Sequence, residues 1–193
     1  RRPCHRLLIF IQTCQLEATK TSDVDNDVKT GDNKQNLTKN LDSNGNWKYC
    51  LPAASAVKRY LIIWEGDYLN FGEHLSGFSN TSFEKPKIII QYIRKISMER
   101  RLICALDKEG KYYPLNNFSF IEAINDDYNL QYLITLANSK LINFYFSNCF
   151  IDYNIKPKYI EKLPIPALNI SGQKPFIEKA DLMLSLNKEL QEV

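Results

Sequence analysis

The chain has 193 residues, 44% of them hydrophobic, which is enough for one well-cored domain with extensions. Its formal net charge of +3 is too small to single out a polyanionic partner, so any nucleic-acid contact has to rest on local clustering of positive charge. Five cysteines stand singly, no CxxC or HxxxH spacing occurs and His5 and His74 are the only histidines; this argues against a structural zinc site, and an odd cysteine count without a pairing pattern suits a reducing cytoplasm.

The chain opens Arg1-Arg2-Pro3 without a methionine, so it is expected to be part of a longer protein. Arg6–Cys14 reads as one core strand; its apolar run Leu7–Ile11 is too short to span a membrane and has no secretory cleavage pattern. From Glu17 to Asn46 polar and turn-forming residues dominate, a loop by composition. Within it, Lys29-Thr30-Gly31 can set backbone amides and a lysine against a phosphate, or simply form a solvated turn. Lys58-Arg59-Tyr60 leads into a strand, Tyr60–Trp64, and the two-residue period of a strand sends Lys58 and Arg59 to opposite faces. Gly66–Gly77 carries hairpin signals among aromatics.

Lys87–Ile93 is the clearest strand. KIIIQYI is nearly all apolar or aromatic, as a central strand buried on both faces requires, and Gln91 must find a partner inside it. Arg94, Lys95, Arg100 and Arg101 then fall within eight residues, opposed by Glu99, before a strand resumes at Leu102–Leu106. Lys108-Glu109-Gly110-Lys111 makes a tight turn and Phe118–Ala123 a further strand. In Tyr128–Pro166, residues Leu133, Leu136, Ala137, Leu141, Phe144 and Tyr145 make one helical stripe. It is interrupted by the capping pair Asn138-Ser139, so two short helices or one kinked helix are expected. Pro164 and Pro166 push their predecessors out of the helical region, so the run from Ile155 to Pro166 is expected to be extended and non-helical. Gly172 is expected to end an irregular segment, and Pro175–Glu192 to form an amphipathic helix leaving the body. The fold class is α/β, mixed α+β, with a central sheet holding Tyr60–Trp64, Lys87–Ile93 and Leu102–Leu106, packed helices and a C-terminal helix.

Catalytic signatures are missing. No two glycines lie one residue apart, so the glycine loop of S-adenosylmethionine sites is absent, and there is no Asn-Pro-Pro-aromatic motif, phosphate loop or Gly-x-Ser-x-Gly elbow. The acid pairs Asp25/Asp27 and Asp126-Asp127 lie in polar loops without a suitably spaced lysine and read as solvated turns. The sequence describes a domain that binds rather than catalyses.

The ordered set NSKLINFYF, then KPKYIEKLPIP, resembles the C-terminal specificity domain of Taq-like restriction–modification enzymes and the related target recognition domains of type I specificity subunits. Upstream, Val28–Lys34 resembles an opening KTGDN segment, Lys58–Trp64 a KRY-plus-strand segment and Phe83–Ile90 an F-x-KPKI strand; Ala105–Asn116 resembles the segment that follows. The resemblance implies three parts: residues 1–27 an N-terminal strand and polar linker, 28–172 a DNA target recognition domain, and 173–193 a C-terminal helix. It implies sequence-specific recognition of double-stranded DNA for a catalytic part outside this chain. That part would be an adenine-specific methyltransferase, a restriction endonuclease, or both, in the same or a partner chain, in the cytoplasm and with no membrane involved. The chain itself needs no cofactor; S-adenosylmethionine, and Mg²⁺ where cleavage occurs, belong to the parent enzyme. The DNA-binding candidates are Lys29, Thr30, Lys34, Lys58, Arg59, Tyr60, Gln91, Arg94, Lys95, Arg100, Arg101 and Lys111, since Arg reads guanine, Gln reads adenine and Lys neutralises phosphate. The alternative is a structural or protein-interaction domain that keeps the fold without touching DNA, and dispersed rather than clustered charge would favour it.

Overall fold

A computed structural model describes residues 17–20, 34–41, 45–75, 83–122 and 127–191. The expected strand Arg6–Cys14 and the candidates Lys29 and Thr30 lie outside them. The main sheet has the strand order β1-β10-β7-β8, built from β1 (Glu17–Lys20), β7 (Lys87–Gln91), β8 (Cys104–Asp107) and β10 (Phe118–Glu122), all pairings antiparallel. β7 is an interior strand, and its alternation divides the core. Ile88 and Ile90 join Cys104 and Ile121 under the helices, whereas Ile89 joins Ala105 and Phe118 on the opposite face. Burial of all five β7 residues explains the unbroken apolar run.

A second sheet, order β2-β6-β3-β9, covers that opposite face: β2 (Leu37–Thr38), β3 (Trp47–Leu51), β6 (Tyr68–Asn70) and β9 (Tyr112–Pro114), with β3 and β9 parallel. The helical layer comprises α1 (Leu130–Ala137), α2 (Lys140–Cys149), α3 (Pro157–Ile160) and α4 (Ile170–Glu189). Helices on one face of the main sheet and a smaller sheet on the other make this an α+β fold.

Several elements differ from expectation. The Glu17–Asn46 stretch, read as loop, contributes β1 and β2, because the edges of β10 and β6 supply ladders that outweigh polar composition. Tyr60–Trp64 is not a central strand: β4 (Val57–Lys58) and β5 (Leu61–Ile62) form a separate two-stranded hairpin with Arg59-Tyr60 at its turn. Of Gly66–Gly77, the described residues 66–75 supply β6 alone, which pairs with β2 and β3 rather than with a local partner. β8 starts at Cys104, not Leu102, because the Leu102 amide is taken by Asn143 Oδ1 at 2.8 Å.

The two short helices expected are present as α1 and α2, broken at Asn138-Ser139, where Ser139 Oγ accepts from Ile142 N at 3.1 Å and starts α2, but the single buried stripe is not: Leu141 and Phe144 are each 69% exposed, and α2 buries Ile142, Asn143 and Phe146 instead. The non-helical reading of Ile155–Pro166 is corrected by α3, whose Pro157 occupies its first turn, where a missing N–H costs nothing. Leu163–Pro166 is irregular rather than extended, Ile165 N donating back to Leu163 O at 2.9 Å across Pro164, with Leu163 and Ile165 buried in the main core and Tyr132 Oη donating to Pro166 O at 2.7 Å. α4 begins at Ile170 rather than Pro175, because Asn169 caps it, its Oδ1 accepting from Gly172 N at 2.8 Å. Pro175 sits inside, at an exposed position where the single lost backbone bond is solvent-facing. Nor does α4 leave the body at once: Gln173 and Ala180 are buried against the core, and the Gln173 side chain bonds Asn129 N, Asp127 O and Leu168 O. Cys149 is disulfide-bonded, contrary to the reading of unpaired thiols, whereas Cys50 and Cys104 are free and burial pushes both thiols up in pKa.

Candidate nucleic-acid interface

The basic loop predicted between two strands is real: residues 92–103 join β7 to β8. It leaves the sheet at Gln91, the residue that needed a buried partner. Gln91 Nε2 donates to Ala54 O at 2.9 Å and Val57 O at 2.6 Å, while its Oε1 accepts from Arg94 at 3.1 Å. One buried amide therefore ties the β4–β5 hairpin, with Lys58 and Arg59, to the base of the basic loop. Lys58, Arg59, Gln91, Arg94, Lys95, Arg100 and Arg101 are brought to one end of the main sheet.

They do not present their charges alike. Arg94 also donates to Arg100 O at 2.7 Å, closing the loop on itself; burial, and then the nearby Arg101 charge, lower its pKa. Arg101 is fully buried, its guanidinium 5.4 Å from the Phe146 ring centroid and donating to Phe150 O and Asp152 O just past the end of α2. A cation there also meets the negative end of that helix. Arg100 reaches Asn138 O at 3.4 Å. The Nε atoms of Arg59, Arg94 and Arg101 are buried without a partner among the described residues. Lys95 and Lys58 are exposed, and among the described residues neither has a side-chain hydrogen bond or ion pair. Arg94 and Arg101 thus build a rigid base and the two lysines face solvent. Around Lys95 the loop also exposes Ile93, Ile96 and Met98.

Tyr60 is buried with a left-handed φ of 65°, an outlier for a bulky residue. Its amide donates to Cys104 O at 2.9 Å and its hydroxyl engages Arg59 and Thr135, with burial raising its pKa. The strained turn is held by that docking and fixes where Lys58 and Arg59 stand.

Lys111 does not join this group. It follows β8 at the far end of the sheet, about 13 Å along β7 at ~3.3 Å per residue. Its Nζ lies 4.0 Å from the Tyr49 ring centroid, beside a cluster of Tyr49, Trp64, Tyr68 and Tyr112 that sequence reading missed. Lys34 opens a short 3-10 turn before β2, on the second sheet.

The NSKLIN residues serve this end from behind. Asn138 and Asn143 are buried; Asn138 accepts from Cys104 N at 3.1 Å and donates to Cys104 O at 2.9 Å, while Asn143 takes Leu102 N. Both peg the α1–α2 corner to the strand that receives the basic loop. Asn138 was visible in the sequence as one of a capping pair, Asn143 was not singled out, and the long-range contacts of neither were legible. Among the described residues no group of His, Cys, Asp and Glu is placed to hold a metal ion, and no helix is long and apolar enough to cross a membrane.

No curated protein matches this chain. A family model described as the TaqI-like C-terminal specificity domain matches residues 54–165, which include the β4–β5 hairpin, the basic loop, the NSKL corner and Leu163–Ile165 of the LPIP run. That stretch is more than half of the 193 residues, and the Val28–Lys34 segment falls outside it. The chain belongs to the TaqI-like C-terminal specificity domains of restriction–modification enzymes.

Proposed function

We propose that this domain recognises a specific sequence in double-stranded DNA and holds the duplex for a catalytic part outside the described chain, an adenine-specific methyltransferase, a nuclease, or both. S-adenosylmethionine, and Mg²⁺ for cleavage, would serve that part. The observation that carries the reading is the family match over residues 54–165, which contains the one end of the main sheet where Gln91 gathers two basic elements. There Lys58 and Lys95 supply exposed charge for phosphates, and Arg100 and Arg59, half-buried, stand at the rim with guanidinium groups suited to base edges. Arg94, Arg101, Gln91 and Tyr60 act one layer below, by fixing the loop and the hairpin.

The test is selection of bound duplexes from a randomised pool by the chain, followed by titration of the enriched sequence at several salt concentrations. The reading expects one enriched motif, and a salt slope that falls by about one unit in each of Lys58→Ala and Lys95→Ala. No enrichment, with both lysine variants binding as the parent does, overturns it. One observation favours the alternative, an interaction domain without DNA contact: two of the loop's four cations, Arg94 and Arg101, are engaged internally. Under that reading binding is weak, sequence-independent and insensitive to Lys95→Ala.

A further inference from the structure

Between the end of α2 and α3 lies a cleft of about 450 Å³, lined by residues 149–153 and Tyr159. That is the size of a small-molecule site and far too small for a duplex. Phe150 and Tyr159 stack in its wall, ring centroids 4.8 Å apart and planes 21° from parallel. Tyr153, 59% exposed, and Ile151, 72% exposed, stand beside them with most of their surface in water. One carboxylate is set into this wall. Asp152 Oδ2 accepts from Lys156 Nζ at 2.6 Å and from Tyr159 Oη at 3.2 Å, and its Oδ1 accepts from Asn154 N at 3.1 Å. A carboxylate has about four acceptor positions, so one remains, on Oδ1. Lys158 Nζ lies 5.5 Å from the Tyr159 ring centroid; it is exposed and has no side-chain hydrogen bond or ion pair among the described residues. Arg101 backs the wall by donating to Phe150 O and Asp152 O. Asp152 thus meets three cations, Lys156, Lys158 and Arg101, and the excess charge is positive.

We propose that this cleft binds a single nucleotide, its base against the rings of Tyr153 and the Phe150–Tyr159 pair, an amino group of the base on Asp152, and its phosphate at Lys158. Each part of the ligand answers to a group already in place. Aromatic rings stack with any base. The open acceptor on Oδ1 calls for an N–H donor, and the positive excess calls for an anion. A purely apolar guest would leave Oδ1 and Lys158 unused, and a cationic guest would meet like charge. Adenine, guanine and cytosine each carry an exocyclic amine that can donate to Asp152. Thymine offers one N–H between two carbonyl oxygens, which a carboxylate repels. Two sources present the same chemistry: a free nucleotide, or an unpaired nucleotide of bound DNA. The second is within reach because Arg94 N donates to Tyr153 O at 3.0 Å and Ile93 bridges Asn154, so the basic loop runs alongside the cleft's own segment. No residue lining the cleft is among those assigned to duplex recognition, so the inference goes beyond that reading and does not depend on it.

Titration of the full chain with dAMP should shift the backbone amide resonances between residues 149 and 159, with a Kd of about 1 mM or tighter. Thymidine monophosphate should bind about fivefold more weakly or worse. Tyr153→Ala and Lys158→Ala should each weaken dAMP binding about fivefold or more. Because both positions are exposed, their thermal melts should match the parent's, which separates loss of ligand from loss of fold. A duplex with one bulged adenine, set against the same duplex fully paired, then separates the sources. Tighter binding of the bulged duplex, with the advantage lost in Tyr153→Ala, assigns the cleft to an unpaired nucleotide of bound DNA. Equal binding of the two duplexes, with dAMP still bound, assigns it to a free nucleotide. Absence of dAMP shifts at these residues overturns the proposal, as does binding unmoved by both variants, or thymidine monophosphate binding as tightly as dAMP.

Discussion

Arg101 and Lys95 carry the same charge six residues apart and have opposite fates. Arg101 holds two carbonyls beyond α2 and stacks over Phe146, so Arg101→Ala should destabilise the fold by about 2–4 kcal/mol, seen as a lower denaturation midpoint with or without DNA. Lys95→Ala should leave the midpoint within about 0.5 kcal/mol and, on the proposed function, act on DNA binding alone. Asp152, beside Arg101, adds a pH dependence. Lys156 Nζ at 2.6 Å is the main reason its carboxyl titrates below the usual range, helped by Asn154 N at 3.1 Å. A lowered folded-state value means stabilisation that is fully present above the unfolded-state pKa, about 3.9, and is lost as pH falls through the lower folded value. The Asp152 and Lys156 side chains are 31% and 35% exposed, so the effect is below about 1 kcal/mol. Thermal melts of the parent and Asp152→Asn should differ by a constant amount above about pH 5 and converge only once the pH has fallen below the folded-state value, which lies under about 3.9.

Among the elements, the turn from β8 to β9 is the most constrained. Asp107 forms a buried pair with Lys87 at 2.7 Å and also accepts from Lys111 N and Tyr112 N, so one carboxylate closes the turn and anchors the start of β7. Burial is the main reason the Lys87 pKa is lowered, with Asp107 opposing it. Gly110 has a φ of +66°, and a Cβ there would stand 2.5 Å from Glu84 C. Gly110→Ala should therefore cost about 2 kcal/mol or more, measured by urea denaturation, since neither the backbone conformation nor the facing main chain has room to adapt. This turn was legible from its Lys-Glu-Gly-Lys sequence, as β7 was from its isoleucines and the α1–α2 break from Asn138-Ser139. The β4–β5 turn was not, because Tyr60 holds a conformation its residue type disfavours and is kept there by Cys104, distant in sequence. β1 and β2 escaped for a related reason: their pairing partners, not their composition, make them strands.

At the scale of the molecule, the candidate interface is a matter of what Gln91 connects. The sequence showed a basic cluster and a basic pair but nothing that placed them together, and charge alone did not distinguish an arginine facing solvent from one holding a helix end. Gln91→Leu keeps the volume and removes three hydrogen bonds, leaving Ala54 O, Val57 O and Arg94 without their partner. It should destabilise by about 2–3 kcal/mol and, by hydrogen exchange, loosen residues 54–62 and 94–101 together while the amides of α1 and α4 stay protected. Loosening of only one of the two segments would show that they are not coupled through this side chain.

Asn138 has a consequence beyond the corner it pins. β8 is the last strand of the main sheet, and at Cys104 its outward amide and carbonyl are both occupied by this one side chain, with Tyr60 N sharing the carbonyl. A sheet margin whose backbone groups are already satisfied cannot template an incoming strand there. The asparagine therefore acts as a stopper against edge-to-edge aggregation, protecting an isoleucine-rich sheet from growing into a neighbouring molecule.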